Sequence, residues 1–244
     1  MPAAIAGTSA LMNPRSLQTR DRWLERQVSE LLACDDRIKG LDVTVRFDGG
    51  VAHVDGRVPD EVVRSRVRDA VTSLRGVYAF WDGLLVGEQE RLRVVDLGCG
   101  ATKQRPPSVG IDLFPAPGVD VLADFRQGLP LQDASVDRIY AVHVLEHLIE
   151  LVPLMNELHR VLAPGGVLHA MSPHWKAINA VADPTHVRFF DVQTFKYFCG
   201  PHAGTSTWWP HLVGYDGDNV FADLTPVRPG DPLPSDEQLG LFFD

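Results

Sequence analysis

The segment Leu92-Arg93-Val94-Val95-Asp96-Leu97-Gly98-Cys99-Gly100 decides the fold of this chain. Its apolar run, interrupted by a single aspartate, predicts a buried strand that ends in a tight turn. The two glycines in the turn allow the backbone to come close to a ligand, where a side chain would clash. An acidic side chain at the end of the strand suits a ligand that carries a cation and hydrogen-bonding groups. The segment therefore predicts a small-molecule site at the end of this strand.

Strands and helices alternate from this segment onward, which predicts an α/β fold with a mainly parallel sheet. The predicted strands are residues 92–97, 109–112, 119–122, 137–142 and 167–171. An amphipathic helix over 146–162, with a break near Pro153, ends at the Pro-Gly-Gly of residues 164–166. A second helix covers 191–198, and residues 208–215 and 220–225 form a terminal antiparallel hairpin. The tail after Pro226 is expected to be loose.

The N-terminal third predicts a separate small α+β unit. A helix capped by Thr19 or Asp21 precedes two alternating strands, 41–47 and 51–56, which the Asp-Gly-Gly of residues 48–50 joins as a hairpin. A second helix starts at Pro59 and a third strand covers residues 77–86. This order of elements, with the VRFDGGVAHVDGRV hairpin, resembles a BON domain. The resemblance implies a small binding module that docks on a membrane or a partner; the chain's lack of an export signal makes membrane docking doubtful.

Four arginines of the second helix of this unit are candidates for a phosphate-binding face: Arg64, Arg66, Arg68 and Arg75. Asp60, Glu61 and Asp69 lie among them. This balance of charge predicts a solvated helix face instead.

Composition bounds the class of protein. The hydrophobic fraction of 45% and the charged fraction of 23% are ordinary for a globular chain. Basic and acidic residues number 12 and 14 through Glu90 but 11 and 18 after it, so the acidity of the C-terminal part argues against non-specific nucleic-acid binding. Cys34, Cys99 and Cys199 have no paired spacing, which favours a reducing cytoplasm. Residues 1–10 lack a basic signal segment, and residues 1–19 are expected to form a flexible leader.

Five motifs in register make residues 92–226 similar to a class I S-adenosylmethionine-dependent methyltransferase of the type 11 kind. They are DLGCG at 96–100, VGIDL at 109–113, LADF at 122–125, the SVDRI of 135–139 leading to HVLEH at 143–147, and LHRVLAPGG at 158–166. The resemblance implies a Rossmann-like sheet with S-adenosylmethionine as cofactor. It also implies that the ligand lies at the carboxyl ends of the parallel strands.

The resemblance assigns the cofactor contacts residue by residue. Gly98, Cys99 and Gly100 form the turn against the methionine part, with the cysteine as a small filler. Asp96 accepts from the ammonium group and Asp112 from both ribose hydroxyls. Asp124 accepts from the adenine amino group, while Leu113 or Phe125 covers the ring. His143, at the end of the fourth strand, completes the predicted cofactor set: Asp96, Gly98, Cys99, Gly100, Asp112, Leu113, Asp124, Phe125 and His143.

One departure from the family concerns the segment after Gly100. Only 11 residues separate Gly100 from Asp112, and Arg-Pro-Pro lies among them. A loop or single turn is therefore expected in place of the usual first helix, with Thr102 and Lys103 available to the cofactor carboxylate. The competing nicotinamide-binding fold requires G-x-G-x-x-G at the start of a full helix, and here Lys103 stands at the third glycine position.

Three histidines are the candidate catalytic residues. The DPTHVRFF segment at 183–190 resembles one found in methyltransferases of sugar and cell-surface pathways. His186 within it is either a general base for an acceptor hydroxyl or a structural histidine. His143 and His147 match the H-x-x-E-H spelling of zinc peptidases, but a strand end excludes that helical motif. Ubiquinone-type O-methyltransferases can carry a glutamate at the position of His143, with Glu-His downstream and a divalent ion at the site. Glu146 and His147 could likewise join His143 around an ion, but a pocket wall and helix cap is the favoured interpretation, so no metal is predicted.

The sequence predicts a BON-like domain at 20–87, a methyltransferase domain at 91–228 and a tail at 229–244. The predicted function is methyl transfer from S-adenosylmethionine to a small-molecule or sugar-type acceptor, by O-methylation. Nucleic acid is not expected as a partner, because the Asn/Asp-Pro-Pro-Tyr motif is absent after the fourth strand. Two alternatives remain: a non-catalytic cofactor-binding protein that docks through its BON-like unit, and a nicotinamide oxidoreductase.

Overall fold

The computed structural model describes residues 14–243, with side chains from residue 16 onward. The N-terminal unit consists of α1 (Pro14–Cys34), β1 (Val43–Asp48), β2 (Val51–Val58), α2 (Glu61–Thr72) and β3 (Ala79–Val86). Its three strands form one sheet in the order β1-β2-β3, in which β1 and β2 are antiparallel and β2 and β3 are parallel. Asp21 of α1 accepts hydrogen bonds from Gly49 N and Gly50 N, at 2.9 and 3.1 Å, so that the helix holds the hairpin turn.

The C-terminal part forms a seven-stranded sheet in the order β6-β5-β4-β7-β8-β10-β9. Its strands are β4 (Val94–Leu97), β5 (Val109–Asp112), β6 (Val121–Leu122), β7 (Val136–Val142), β8 (Leu162–Pro173), β9 (Trp208–Tyr215) and β10 (Asn219–Pro226). The first five are parallel, and β10 runs antiparallel to β8 and β9. The α/β fold, its mainly parallel sheet and its terminal hairpin are thereby confirmed.

The helices of this part are α3 (Leu151–Val161), α4 (Ile178–Ala182), α5 (Val192–Cys199) and α6 (Asp236–Phe243). Asp191 caps α5 as predicted: its carboxylate accepts from Gln193 N, and the Thr194 hydroxyl accepts from Asp191 N in return. Among residues 14–243, no helix has both the length and the apolar character needed to cross a membrane.

The two faces of the large sheet are covered by different layers. Alternate residues of a strand point to opposite faces. Ile139 and Ala141 of β7 pack in a core with α3 and α5, whereas Tyr140 and Val142 pack in another core with residues of β2 and β3. The N-terminal unit therefore covers the sheet face opposite the helices at β7 and β10.

The structure corrects three sequence predictions about helices. First, α1 begins at Pro14, so residues 14–19 of the predicted leader are helical, while residues 1–13 lie outside the described residues. Second, the predicted helix over 146–162 is a 3-10 turn at Leu145–His147 followed by α3, and Pro153 lies in the first turn of α3, where no helix break arises. Third, the tail contains α6, which buries Leu239 and Phe243.

The predicted solvated face of α2 is wrong for two of its four arginines. Arg64 and Arg68 are buried, and both pair with Asp82 of β3, as does Arg138 of β7. Burial by itself would raise the pKa of Asp82, but the three guanidinium groups hold it far below its usual range. Because Arg138 belongs to the large sheet, this buried cluster ties the two parts of the chain together. Exposed positions 66 and 75 do fit the solvated interpretation.

Candidate active site

A cavity of about 680 Å³ opens beyond the carboxyl ends of β4, β5 and β7. Open α/β sheets bind their ligands at this edge, and the volume is typical of a small-molecule site. Seven residues that the sequence singled out line it: Gly98, Asp112, Leu113, Asp124, Phe125, His143 and His147. The other lining residues were not predicted: Phe114, Arg126, Val144, Leu148, Ile149, Glu150 and Thr185.

The glycine turn after β4 forms the floor of this cavity. Gly98 adopts φ +65°, and a Cβ atom there would lie only 2.4 Å from Cγ2 of Val144. Any side chain at this position would therefore clash with the wall opposite. Cys99 between the glycines is buried, and burial raises the pKa of its thiol, which fits a filler better than a nucleophile.

Asp112 stands at the end of β5 and shapes the turn. Its Oδ2 accepts from Gly100 N at 3.0 Å, and its Oδ1 accepts from Phe114 N at 3.1 Å. Each carboxylate oxygen can accept a further hydrogen bond, so Asp112 can bind a ligand hydroxyl while it holds the loop. Gly100 itself has open space above it and does not line the cavity.

Asp124 caps the 3-10 turn Phe125–Gln127 and faces the cavity beside Arg126. The Arg126 guanidinium donates two hydrogen bonds to its carboxylate, at 2.9 and 2.8 Å. These bonds, with that from the Arg126 backbone, lower the pKa of Asp124 to about 2. Asp124 is therefore an ionised acceptor with one cationic neighbour on the same wall.

Asp96 does not line the cavity, because its side chain is 1% exposed beneath the glycine turn. Its carboxylate accepts from Gln104 N and so fastens the loop between β4 and β5. Burial raises the pKa of Asp96 to about 6, against the lowering effect of the backbone groups of Gln104 and Arg105. In this structure the residue positions the turn and lies beneath the cavity wall.

The loop between β4 and β5 contains no helix, as the spacing predicted. Lys103 does not face the cavity but donates to Ser108 O at 2.8 Å and pairs with Asp120. Arg105 pairs with Asp55 of β2. The loop is therefore held by the N-terminal unit on one side and by Asp96 on the other.

The three predicted catalytic histidines lie close together but differ in access to the cavity. His143 and His147 are exposed on its wall, whereas the His186 side chain is 8% exposed and is not part of that wall. His143 has the strained backbone angle φ +54°, which is uncommon for a residue with a side chain. The ring of His186 packs edge-on against that of His147, with centroids 4.7 Å apart.

Glu146 lies at the centre of this cluster, a position that the sequence did not predict. Its side chain is 1% exposed, and its Oε1 lies 3.4 Å from His143 Nδ1 and 3.9 Å from His186 Nε2. Its backbone oxygen accepts from the backbone nitrogens of residues 187 and 188, which brings the 183–190 segment onto the 3-10 turn. The H-x-x-E-H motif at residues 143–147 indicated this part of the site, but it gave no sign that His186 lies next to Glu146.

Comparison with known families agrees with this geometry. Residues 95–170 match the family model described as a methyltransferase domain, type 11, and residues 20–88 match that of the BON domain. A Mycolicibacterium smegmatis protein named "Probable S-adenosylmethionine-dependent methyltransferase" is 41% identical over 58 residues, which are 24% of this chain and 23% of that protein. An uncharacterised 37.1 kDa protein of transposon TN4556 from Streptomyces fradiae is 29% identical over 169 residues, covering 57% of this chain and 48% of that protein.

The chain thus spans less than half the length of either relative.

Among solved structures, the YcgJ protein of Bacillus subtilis is similar with a TM-score of 0.43 and 15% identity, over 57% of this chain and 93% of that chain. A SAM-dependent methyltransferase of Aquifex aeolicus has a TM-score of 0.41 and 19% identity, over 54% and 81%. By its two family matches, the chain contains a region that matches the BON domain, followed by a region that matches the type 11 methyltransferase domain.

Proposed function

We propose that this chain transfers a methyl group from S-adenosylmethionine to a hydroxyl group of a small-molecule or sugar-type acceptor. The observation that carries the proposal is the composition of one cavity. Its β5 side presents the carboxylate of Asp112, and its β7 side presents the imidazoles of His143 and His147. The β5 side can thus bind a cofactor, and the β7 side can accept a proton from the acceptor.

The residues present fit the cofactor. Gly98 forms a floor that a Cβ atom would fill, and Asp112 keeps acceptor capacity for ribose hydroxyls. Leu113 and Phe125 offer apolar surface for a purine ring. Asp124 is assigned to the adenine amino group, with Arg126 as its second partner. The roles first given to Asp96, Cys99 and Gly100 become positioning roles in this proposal, because these residues shape the turn beneath the cavity.

The bound cofactor supplies an electrophilic methyl group, so the protein's own task is alignment, exclusion of water and management of one proton. His143 is assigned as the acceptor of the hydroxyl proton, since it is exposed on the wall and an imidazole can act as a general base. Glu146 behind its Nδ1 supports the imidazolium that results. His186 supports the wall from behind and does not act as the base.

The test combines a substrate screen with one variant. Labelled S-adenosylmethionine is incubated with the full chain and a panel of alcohols, phenols and sugars, and methylated products are counted. With an acceptor in hand, His143→Ala is expected to lower turnover by about 100-fold or more while the affinity for S-adenosylhomocysteine changes little. His202→Ala, which alters a histidine stacked on Tyr197, is the control and should keep full turnover.

Three outcomes would contradict the proposal in different ways. Unchanged turnover in His143→Ala removes the base. Tight cofactor binding without turnover on any acceptor favours the non-catalytic alternative. Binding of NAD with no binding of S-adenosylmethionine favours the oxidoreductase.

A further inference from the structure

The centre of the histidine cluster is a buried oxygen that lacks a partner. Glu146 Oε2 accepts from the Ser172 hydroxyl at 3.0 Å, but Oε1 has no hydrogen bond from any residue in the described part of the chain. A buried carboxylate oxygen left in this state costs free energy comparable with that of a lost hydrogen bond, and more when it is charged. Something therefore has to satisfy Oε1 in the working protein.

His143 Nδ1 is the nearest nitrogen to Oε1, at 3.4 Å, and the other two imidazoles of the cluster use their Nδ1 atoms elsewhere. His186 Nδ1 lies 3.3 Å from Ala180 O, and His147 Nδ1 lies 3.3 Å from Thr185 O. A carbonyl oxygen only accepts, and the Thr185 hydroxyl, 3.0 Å from His147 Nδ1, donates to Asp183, so these contacts favour the tautomer in which each Nδ1 carries the hydrogen. In the neutral ring each Nε2 then keeps a lone pair. Donation of Nδ1–H to a backbone carbonyl is also how metal-binding histidines are held.

Glu146, His147 and His186 bring their potential ligand atoms within 4.8 Å of one another. A buried carboxylate oxygen with two imidazoles this close forms an environment that suits a cation. Two imidazoles and one carboxylate are the protein ligands of a common kind of zinc site, in which the fourth position stays open. At bond lengths of about 2.0–2.1 Å such ligands stand about 3.4 Å apart, so small side-chain rotations would close the site.

We propose that Glu146, His147 and His186 bind one divalent cation of the zinc class on the wall of the cavity. His147 belongs both to the cluster and to the cavity wall, so the open coordination position faces the cavity. His186 lies beyond residues 95–170, the stretch that the family model matches, so the ligand set combines residues of that stretch with one of the 183–190 segment. His143 Nδ1, 3.4 Å from Glu146 Oε1, becomes an outer partner of the carboxylate and stays available as the base.

The site revises the interpretation of the sequence, in which no metal was predicted and the weaker alternative used His143. Binding of the cation does not depend on methyl transfer. Only its use, as a Lewis acid toward an acceptor oxygen in the open position, rests on the proposed function.

Metal binding is measured directly on the full chain after removal of metal with a chelator. Co²⁺ serves as a visible probe of the site, and Zn²⁺ is added in competition. The expected result is one equivalent of Co²⁺ with a ligand-field spectrum, displaced by one equivalent of Zn²⁺. His147→Ala, His186→Ala and Glu146→Gln should each weaken binding at least tenfold, and Ser172→Ala should weaken it less. His202→Ala is the matched control and should bind like the wild type.

Thermal unfolding and affinity for S-adenosylhomocysteine establish that each variant is folded. His147 is exposed, so its alanine variant keeps the test decisive even if Glu146→Gln fails to fold. The proposal is overturned if the wild type takes up no Co²⁺ or if both histidine variants bind it as tightly as the wild type. It is also overturned if His143→Ala abolishes binding and His186→Ala does not. Loss of metal binding with intact cofactor binding would leave the methyltransferase proposal standing.

Discussion

Asp112 shows how one side chain at a strand end can serve the fold and the ligand together. Its two oxygens already accept from Gly100 N and Phe114 N, and the residue also lines the cavity. A charge-assisted hydrogen bond contributes about 1.5–3 kcal/mol. Asp112→Ala is therefore expected to weaken binding of S-adenosylhomocysteine by roughly 10- to 100-fold. Calorimetric titration measures this.

The matched control for that variant is Asp133→Ala. Asp133 is a largely exposed aspartate that pairs with Arg160 away from the cavity. Its loss should leave the affinity unchanged. Equal affinities in wild type and Asp112→Ala would remove Asp112 from the cofactor site.

Asp96 leads to a prediction about pH. Its pKa is raised to about 6 by burial, whereas the unfolded chain ionises near pH 4. Between these values the folded state holds a proton that the unfolded state has lost, so this group makes the protein less stable as pH rises from about 4 to about 6. The contribution to the free energy of unfolding is at most about 3 kcal/mol.

Asp96→Asn tests this with little change of shape, because the amide oxygen still accepts from Gln104 N. Urea unfolding of both proteins is measured at several pH values between 4 and 7. The wild type should lose stability relative to the variant over that interval. A difference that stays constant with pH would contradict the raised pKa.

At the scale of elements, the sequence predicted those units whose signal is local. The hairpin at residues 48–50 and the cap at Asp191 depend on neighbouring residues, and both are confirmed. The start of α1, the tail helix α6 and the burial of Arg64 and Arg68 depend on contacts with distant segments. No periodicity in α2 reveals that Asp82, eighteen residues after Arg64, accepts its guanidinium.

The candidate site divides in the same way. Motif spacing found the residues at the strand ends, because parallel strands bring their carboxyl ends to one edge. It did not reveal that Asp96 lies below the cavity, or that His186 is brought to Glu146 by backbone hydrogen bonds of the loop. Both facts result from packing between distant segments, and no fixed spacing in the sequence reveals such contacts.

The ion cluster around Asp82 gives a prediction at the level of α2 and β3. Removal of one partner of a buried ion pair leaves uncompensated charge and costs about 3–5 kcal/mol. Asp82→Asn should lower the free energy of unfolding by this amount, since Arg64, Arg68 and Arg138 lose their shared counter-charge. Chemical denaturation measures it.

Asp69→Asn is the control on the same helix, because its side chain is exposed. It should change stability by no more than about 0.5 kcal/mol. If Asp82→Asn were as mild as this control, the buried cluster would not be a significant tie between the two parts of the chain.

At the scale of the whole molecule, the BON domain takes the place of a helix layer. The loop from β4 to β5 contains no helix, and β2 and β3 pack on the sheet face that would otherwise be open. Asp223 of β10 accepts from Phe80 N at 3.0 Å and holds His169 at 2.7 Å, so polar groups also cross this boundary. The sheet face of the domain is therefore not available for docking a partner.

This arrangement predicts that residues 91–244 do not fold alone. In the isolated fragment, the side chains of Tyr140, Val142 and Phe221 would be exposed, and Arg138 would lose its ion pair with Asp82. Burial of one large apolar side chain contributes about 1.5–3 kcal/mol, and whole domains are stable by only about 5–15 kcal/mol. The truncated chain should therefore show no cooperative thermal transition and bind an apolar dye, while the full chain unfolds in one transition. A truncated chain that melts cooperatively and binds S-adenosylhomocysteine like the full chain would show that the BON domain is dispensable for folding, and would restore docking as its main role.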